Sequence, residues 1–137
     1  GLRTEITTGD VTRADIYAVF PFDNKMTLLE LTGKSLLKFF DYMASYMEPM
    51  SSGVRLTIKD GAVSSVTLNG KTIDPDAIYK VCTIDYLVES GRYAFDENIY
   101  RLDSVDYIYD LFCNQVKKAA ARGEQVQASI DDRVSVI

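Results

Sequence analysis

Few side chains in this chain could perform chemistry, and histidine is absent from all 137 residues. Without histidine there is no Ser-His or Cys-His pair to activate a nucleophile. There is also no Walker A loop, no G-x-G-x-x-G and no G-x-S-x-G motif. The acidic pair Asp131-Asp132 could contact a hard cation or form a solvated turn, and the latter is favoured. No spacing among the 20 carboxylates selects a catalytic pair. We therefore predict no catalytic residue and no metal site.

An aromatic segment is the better candidate for binding. The run Val19-Phe20-Pro21-Phe22-Asp23-Asn24 places two rings around a bend, because the residue before a proline disfavours the helical region. Taken alone, Phe22 is better explained as a ring that fills the core, and Asn24 as an ordinary turn residue.

Composition limits the class of protein. The 137 residues fit one domain with enough apolar content, 47%, for a hydrophobic core. A net charge of −5 without a basic run disfavours nucleic-acid binding. No apolar run is long enough to span a membrane, and no signal peptide is recognised. Cys82 and Cys113 lack metal-type spacing, and two buried free thiols are favoured over a disulfide.

The first half of the chain predicts two helices around a strand. Thr12 and Asp15 resemble a capping box, so a short helix should follow and end near Ala18 or Val19. Residues 25–31 form a strand candidate. Thr32 begins a longer helix that should end before Pro49, and its apolar stripe consists of Leu36, Phe40, Met43 and Met47.

The second half predicts hairpins followed by a helix. Asp60-Gly61 and Asn69-Gly70 are hairpin turns, so residues 54–59, 62–68, 71–73 and a buried strand at 78–84 should form an antiparallel meander. Residues 85–100 look irregular. A final helix should run from Asp103 or Ser104 to about residue 122, with Val105, Ile108, Leu111 or Phe112, and Val116 on its apolar stripe. Gly123 would end it, and a strand at 134–137 would follow. The predicted class is α+β, with a mixed, largely antiparallel sheet, hairpins and two main helices.

Six segments in order resemble the C-terminal domain of the 5'-nucleotidase and UDP-sugar hydrolase family, over nearly the whole chain. They are Gly9-Asp10-Val11-Thr12, Val19-Phe20-Pro21-Phe22-Asp23-Asn24, Glu30-Leu31-Thr32-Gly33-Lys34-Ser35-Leu36, Val66-Thr67-Leu68-Asn69-Gly70-Lys71, Tyr79-Lys80-Val81 and Thr83-Ile84-Asp85-Tyr86-Leu87.

The resemblance implies a substrate-binding role. In that family this domain holds a nucleobase between two aromatic rings and helps to hold the phosphate with arginine. By motif position, Phe22 resembles the first ring and Tyr86 the second, Asn24 a polar contact near the base, Gly53 a glycine whose backbone approaches the ligand, and Arg3 the phosphate-side arginine. Stacking on a ring contributes about 1–3 kcal/mol per base, and arginine can bind phosphate with two parallel hydrogen bonds.

The resemblance also implies a division of labour. Residues 1–137 would be a single domain detached from an N-terminal metallophosphatase domain, in cis or in trans. This chain would not be catalytic by itself and would hold no cofactor, since the divalent metals belong to the partner domain. Its ligand would be a nucleotide or a nucleoside-like small molecule. An extracytoplasmic location, in the periplasm or at the cell surface, is implied in the same way.

One position departs from the family pattern. Arg92 stands where the family often has an aspartate that binds ribose hydroxyls, and arginine cannot accept hydrogen bonds. Either Glu89 takes over, or the ligand lacks a standard ribose, or the site has drifted. The alternative function is therefore a non-enzymatic docking module with a degenerate pocket that partners a separate metallophosphatase. A self-contained carboxylate hydrolase is disfavoured.

Overall fold

The computed structural model describes residues 2–47 and 50–137. Within these ranges the chain forms helices and strands in the order α1 (Arg13–Val19), β1 (Lys25–Thr32), α2 (Gly33–Tyr46), β2 (Val54–Lys59), β3 (Ala62–Leu68), β4 (Lys71–Thr72), β5 (Ile78–Ile84), α3 (Asp85–Glu89), a 3₁₀ helix (Ala94–Glu97), β6 (Tyr100–Tyr107), α4 (Ile108–Ala121) and β7 (Val134–Val136). The predicted α+β class is confirmed, because most strands pair antiparallel and helices cover the sheets.

Local signals placed the ends of several elements correctly. Thr12 and Asp15 form a complete capping box at the start of α1. The Thr32 hydroxyl accepts a hydrogen bond from the backbone N–H of Ser35 (3.2 Å) and caps α2. Asp60 and Gly61 both adopt positive φ, as a tight hairpin turn between β2 and β3 requires. These features depend on residues a few positions apart, which is why the sequence alone predicted them.

The strands form two sheets, so the predicted meander is wrong at β5. One sheet has the order β4-β3-β2-β7, with β7 parallel to β2, and the other has the order β5-β1-β6. β5 leaves its sequence neighbours and pairs antiparallel with β1, with Leu29 opposite Val81. Leu29 and Leu31 are fully buried, so β1 is a central strand that needs a partner on each side.

The β5 residues are also less buried than predicted. Exposure alternates along the strand, and Ile78 is 52% exposed. Cys82 lies on the exposed face, whereas Cys113 on α4 is buried, and both thiols are free. The prediction of two buried thiols therefore holds for Cys113 and is wrong for Cys82.

The predicted start of the last helix is also wrong. Residues 100–107 form β6 on the second edge of β1, and Val105 is 90% exposed instead of belonging to a helical stripe. The Asp103 carboxylate accepts a hydrogen bond from the Thr27 hydroxyl (2.7 Å), and the Ser104 hydroxyl accepts one from the backbone N–H of Met26 (3.0 Å). The two side chains that suggested a helix cap thus bind β1, and α4 begins at Ile108.

Two smaller expectations need correction. The 85–100 stretch, predicted as irregular, contains α3 and the 3₁₀ helix. On α2, Leu36, Phe40 and Met43 are buried as predicted, but Met47 follows the helix with φ 50° and is 49% exposed. The helix end predicted before Pro49 falls beside residues 48 and 49, which lie outside the described ranges.

The core lies between α2 and the two sheets. Its most deeply buried side chains come from β1, α2, β2 and the 3₁₀ helix and include Leu29, Leu31, Met43, Leu56 and Phe95. One ring pair joins two of these elements, since Phe39 of α2 stacks on Phe95 with centroids 4.8 Å apart. This arrangement fixes α2 beside β5. The loop after α1 leads into β1 and so lies at one end of the β5-β1-β6 sheet.

Candidate functional site

Arg3 and Phe22 lie together, although they come from different segments. The backbone N–H of Arg3 donates to the carbonyl of Val19 (3.2 Å), which places the N-terminal segment beside the end of α1. The helix ends at Phe20, and the Pro21 bend leaves Phe22 42% exposed. The guanidinium carbon of Arg3 is 5.0 Å from the centroid of the Phe22 ring, within the range of a cation–π contact. The structure thus combines a partly exposed ring with a positive charge.

Asn24 lies next to this pair and joins it to α4. Its carbonyl accepts a hydrogen bond from the backbone N–H of Ile108 (2.8 Å). Asn24 and Phe22 both line a cavity of about 550 Å³. The loop that carries the ring is therefore held between α1, β1 and α4, which gives Phe22 a defined position at the cavity.

The cavity extends well beyond the residues that the sequence pointed to. It follows β5 and reaches α2 and the β2–β3 hairpin, and its lining there includes Leu36, Phe39, Leu68, Lys80, Val81 and Thr83. Sequence analysis did not assign these residues to a site. A signal was present, since the resemblance covers Tyr79-Lys80-Val81 and Thr83, but the contact depends on β5 pairing with β1.

Tyr86 does not line this cavity. It lies in the first turn of α3, where its ring is 51% exposed. Its neighbours Ile84 and Leu87 do line the cavity. The structure therefore brings Arg3 onto the Phe22 ring and places Asn24 at the same cavity as Phe22. The assignment of Tyr86 as the second ring remains a prediction.

Gly53 lies against the side chain of Asn69. A Cβ atom at this position would overlap the side-chain oxygen of Asn69. The Gly53 carbonyl accepts a hydrogen bond from the backbone N–H of Asn69 (2.7 Å), which closes the β2–β3 hairpin. The cavity is lined by the nearby Ser51 and Val54 but not by Gly53. A ligand contact of its backbone remains a prediction.

Close to Arg92 in sequence, Glu89 forms an ion pair with Arg101. The Glu89 carboxylate accepts a hydrogen bond from the Arg101 guanidinium (3.0 Å), which also binds Asp103 (2.9 Å). Hydrogen bonds from Arg101 and then from Thr27 hold the pKa of Asp103 below its usual range. Arg92 is exposed, and its backbone N–H donates to the Ser90 hydroxyl (3.3 Å). Glu89 is thus already engaged with Arg101.

Charge is sparse at the cavity. Lys80 is the one charged residue among the described lining residues. Burial raises the pKa of the Cys82 thiol, which also lines the cavity. Asp131 is held by Arg133 (2.6 Å) and Arg55 (3.7 Å), as a structural ion pair would be. Within residues 2–47 and 50–137, no group of three or more potential metal-ligating side chains is found. The scarcity of charged side chains in the lining suits the binding of an apolar or flat group at this cavity.

Comparison with known sequences identifies the family. The sequence profile described as "5'-nucleotidase, C-terminal domain" matches residues 1–97, which include every predicted site residue. The chain belongs to the 5'-nucleotidase C-terminal domain family. The resemblance noted in the sequence is therefore confirmed at the level of the domain.

Individual relatives agree with this family assignment. A 5'-nucleotidase of Vibrio vulnificus is 32% identical over 98 residues, covering 66% of this chain and 17% of the relative. Protein UshA of Escherichia coli is 26% identical over 96 residues, covering 66% of this chain and 18% of UshA. This chain therefore spans less than a fifth of the length of either relative.

A solved structure shows the same fold. The 5'-nucleotidase precursor of Thermus thermophilus superposes with a TM-score of 0.83 at 22% identity, covering 100% of this chain and 30% of that chain. In the described part of our chain, none of the helices combines the length and the apolar character needed to cross a membrane.

Proposed function

We propose that this chain is the substrate-binding domain of a 5'-nucleotidase-type, metal-dependent phosphoester hydrolase and is not catalytic by itself. The observation that carries the proposal is the Arg3–Phe22 pair at the cavity, 5.0 Å from guanidinium to ring centroid. A flat base can stack on the exposed face of Phe22, and Arg3 lies where it can bind the phosphate of the same ligand. Asn24 would supply a polar contact to the base.

Hydrolysis of the phosphoester would be carried out by a metallophosphatase domain, in cis or in trans. This chain has no histidine, and 5'-nucleotidase chemistry would require divalent metals that the proposal places on that other domain. The short coverage of the relatives, 17% of the Vibrio vulnificus protein, supports such a division. We extend the proposal to an extracytoplasmic location, by analogy with the family.

Ligand titration tests the binding role. Isothermal titration of the purified chain should show binding of adenosine and AMP that Phe22→Ala weakens about five-fold or more, since stacking contributes about 1–3 kcal/mol per base. Tyr17→Ala is a matched control, because Tyr17 is 48% exposed on α1 and does not line the cavity. Arg3→Ala should weaken AMP more than adenosine, because adenosine lacks the phosphate. Unchanged binding by Phe22→Ala would refute the stacking role.

An activity assay tests the division of labour. The chain incubated with AMP and Mn²⁺ or Zn²⁺ should release no phosphate above the protein-free control. A metallophosphatase domain added to the same reaction serves as the positive control. Turnover by the chain alone, retained after repurification, would contradict a purely substrate-binding role.

A docking module with a degenerate pocket is the second candidate. Two observations favour it, namely that Tyr86 does not line the cavity and that Glu89 is engaged with Arg101 beside Arg92. In that case no nucleotide or sugar nucleotide would bind in the titration, and the chain would instead form a stable complex with a metallophosphatase domain on gel filtration.

A further inference from the structure

The cavity behind Phe22 is longer than a single stacked ring requires. Its lining includes all six β5 residues from Tyr79 to Ile84, which correspond to about 17 Å of strand at roughly 3.3 Å per residue. Ile84 pairs with Met26 near the loop that carries Phe22, whereas Tyr79 pairs with Leu31 next to the start of α2. The cavity therefore runs from the Phe22 loop along β5 to α2.

The inner part of the cavity is apolar. Its walls include Leu36, Phe39, Phe40, Leu68, Val81 and Phe95. A volume of about 550 Å³ corresponds to roughly 18 water molecules, which need polar partners that aliphatic and aromatic walls do not provide. An apolar group gains free energy by entering such a space, whereas a phosphate would lose its hydration without a buried partner.

Because an apolar group is favoured inside the cavity and a phosphate is not, a ligand should bind in one orientation. Arg3 is exposed and its guanidinium lies on the Phe22 ring, while Lys80 is the one charged side chain among the described lining residues. The anionic end of a ligand therefore belongs outside beside Arg3, and its apolar end belongs inside along β5.

We infer that the ligand carries an apolar alkyl or aryl substituent on the ring that stacks on Phe22, and that this substituent enters the cavity along β5. The inference rests on the proposed function and narrows its substrate class to base-substituted nucleosides and nucleotides. The cavity thereby selects for the substituent, while Phe22 and Arg3 hold the parts that all nucleotides share.

Paired ligands test the inference. Adenosine is compared with adenosine that carries a benzyl group on its exocyclic amine or on C8, so that two directions of entry are sampled. Titration calorimetry should show at least one benzyl derivative binding the chain ten-fold or more tighter than adenosine. Val81→Phe, which fills the cavity from β5, should reduce this ratio to about two-fold or less.

Control variants separate the causes. Val105→Phe makes the same change at a position that is 90% exposed on β6, and it should keep the wild-type ratio. Circular dichroism checks the fold, and Leu68→Phe fills the cavity from the opposite wall if Val81→Phe is unfolded. Equal affinities for all three ligands, with adenosine still sensitive to Phe22→Ala, would overturn the inference and leave the proposed function intact. Binding of neither adenosine nor its derivatives would refute the proposed function itself.

Discussion

The contact between the Phe22 and Arg3 side chains depends on the backbone around each residue. Pro21 ends the α1 region and turns Phe22 outward, and the hydrogen bond from Arg3 to Val19 brings the guanidinium over the ring. Sequence resemblance named both residues, but it could not establish their contact. Tyr86 was named by its motif position as well, but it is not among the residues that line the cavity, although its neighbours Ile84 and Leu87 are.

The two cysteines give a test at the scale of single residues. Iodoacetamide should modify one thiol in the folded protein and two in denaturant, because Cys82 is exposed and Cys113 is buried. Although the residue is exposed, partial desolvation of its sulfur raises the pKa of Cys82, so its labelling should be slow near neutral pH and speed up as the pH rises. Cys82→Ser should remove native-state labelling. Failure to label either thiol in denaturant under non-reducing conditions would contradict the free-thiol assignment.

At the scale of elements, β1 and the start of α2 organise the domain. β1 pairs with β5 on one side and β6 on the other, and α2 begins directly after it at Gly33. The backbone N–H of Gly33 donates to the carbonyl of Ala77 (2.8 Å), so the start of α2 is fastened to the turn before β5. The 3₁₀ helix is fastened to α2 as well, since the Ser35 hydroxyl donates to the Glu97 carboxylate (2.6 Å).

Gly33→Ala should destabilise the protein despite a favourable helix propensity. Propensity alone favours alanine over glycine by about 1 kcal/mol in a helix. Here the added Cβ would overlap the backbone carbonyl of Asp74, so we expect the free energy of unfolding to fall by about 2 kcal/mol or more. Urea denaturation measures it. Lys34→Ala, at the next and exposed position, should change it by less than about 0.5 kcal/mol. A stabilised Gly33→Ala variant would contradict the packing of this turn.

The stability contributed by the contacts of Glu97 with α2 should depend on pH. Hydrogen bonds from Lys38 and then from Ser35 hold the pKa of Glu97 below its usual range. A lowered folded-state pKa stabilises the fold above the unfolded pKa, about 4.3, and this contribution is lost as the pH falls through the folded pKa. The stability difference between wild type and Glu97→Gln should therefore narrow on acidification, as measured by urea denaturation at a series of pH values.

A second carboxylate serves as the control for this pH dependence. Asp41 lies on the exposed side of α2, and no described residue forms an ion pair with it. Asp41→Asn makes the same change of charge on α2 and therefore controls for the loss of one negative charge from this helix region. If the free energies of unfolding of wild type and Glu97→Gln change in parallel with pH, the Lys38–Glu97 pair contributes nothing to stability.

At the scale of the whole molecule, one set of aromatic rings belongs to the core and another to the site. Phe95 is 1% exposed, stacks on Phe39 and joins the 3₁₀ helix to α2. Phe22 is 42% exposed and makes its ring contact with Arg3. Because both line the same cavity, the core and the candidate site share a wall.

The same substitution at these two rings should separate folding from binding. Phe95→Ala should lower the free energy of unfolding by about 3–5 kcal/mol, whereas Phe22→Ala should lower it by less than about 1 kcal/mol. Urea denaturation of both variants under one set of conditions gives the comparison. An equal loss for Phe22→Ala would mean that this ring fills the core, which was the alternative that its sequence position left open.

Short-range interactions made much of the fold predictable from the sequence. The capping box at Thr12, the α2 cap at Thr32 and the turn at Asp60-Gly61 each involve residues within a few positions of one another. The order of motifs also identified the family and named Arg3, Phe22 and Asn24, which the fold then brings together. These features needed no knowledge of which strands pair.

Only the tertiary structure decided the features that depend on long-range pairing. A strand sequence such as β5 or β6 has no preferred partner of its own, and in the fold both pair with β1, whose buried backbone groups need hydrogen-bond partners on each edge. That pairing turned a predicted helix start at Asp103 into a strand and placed β5 along the cavity.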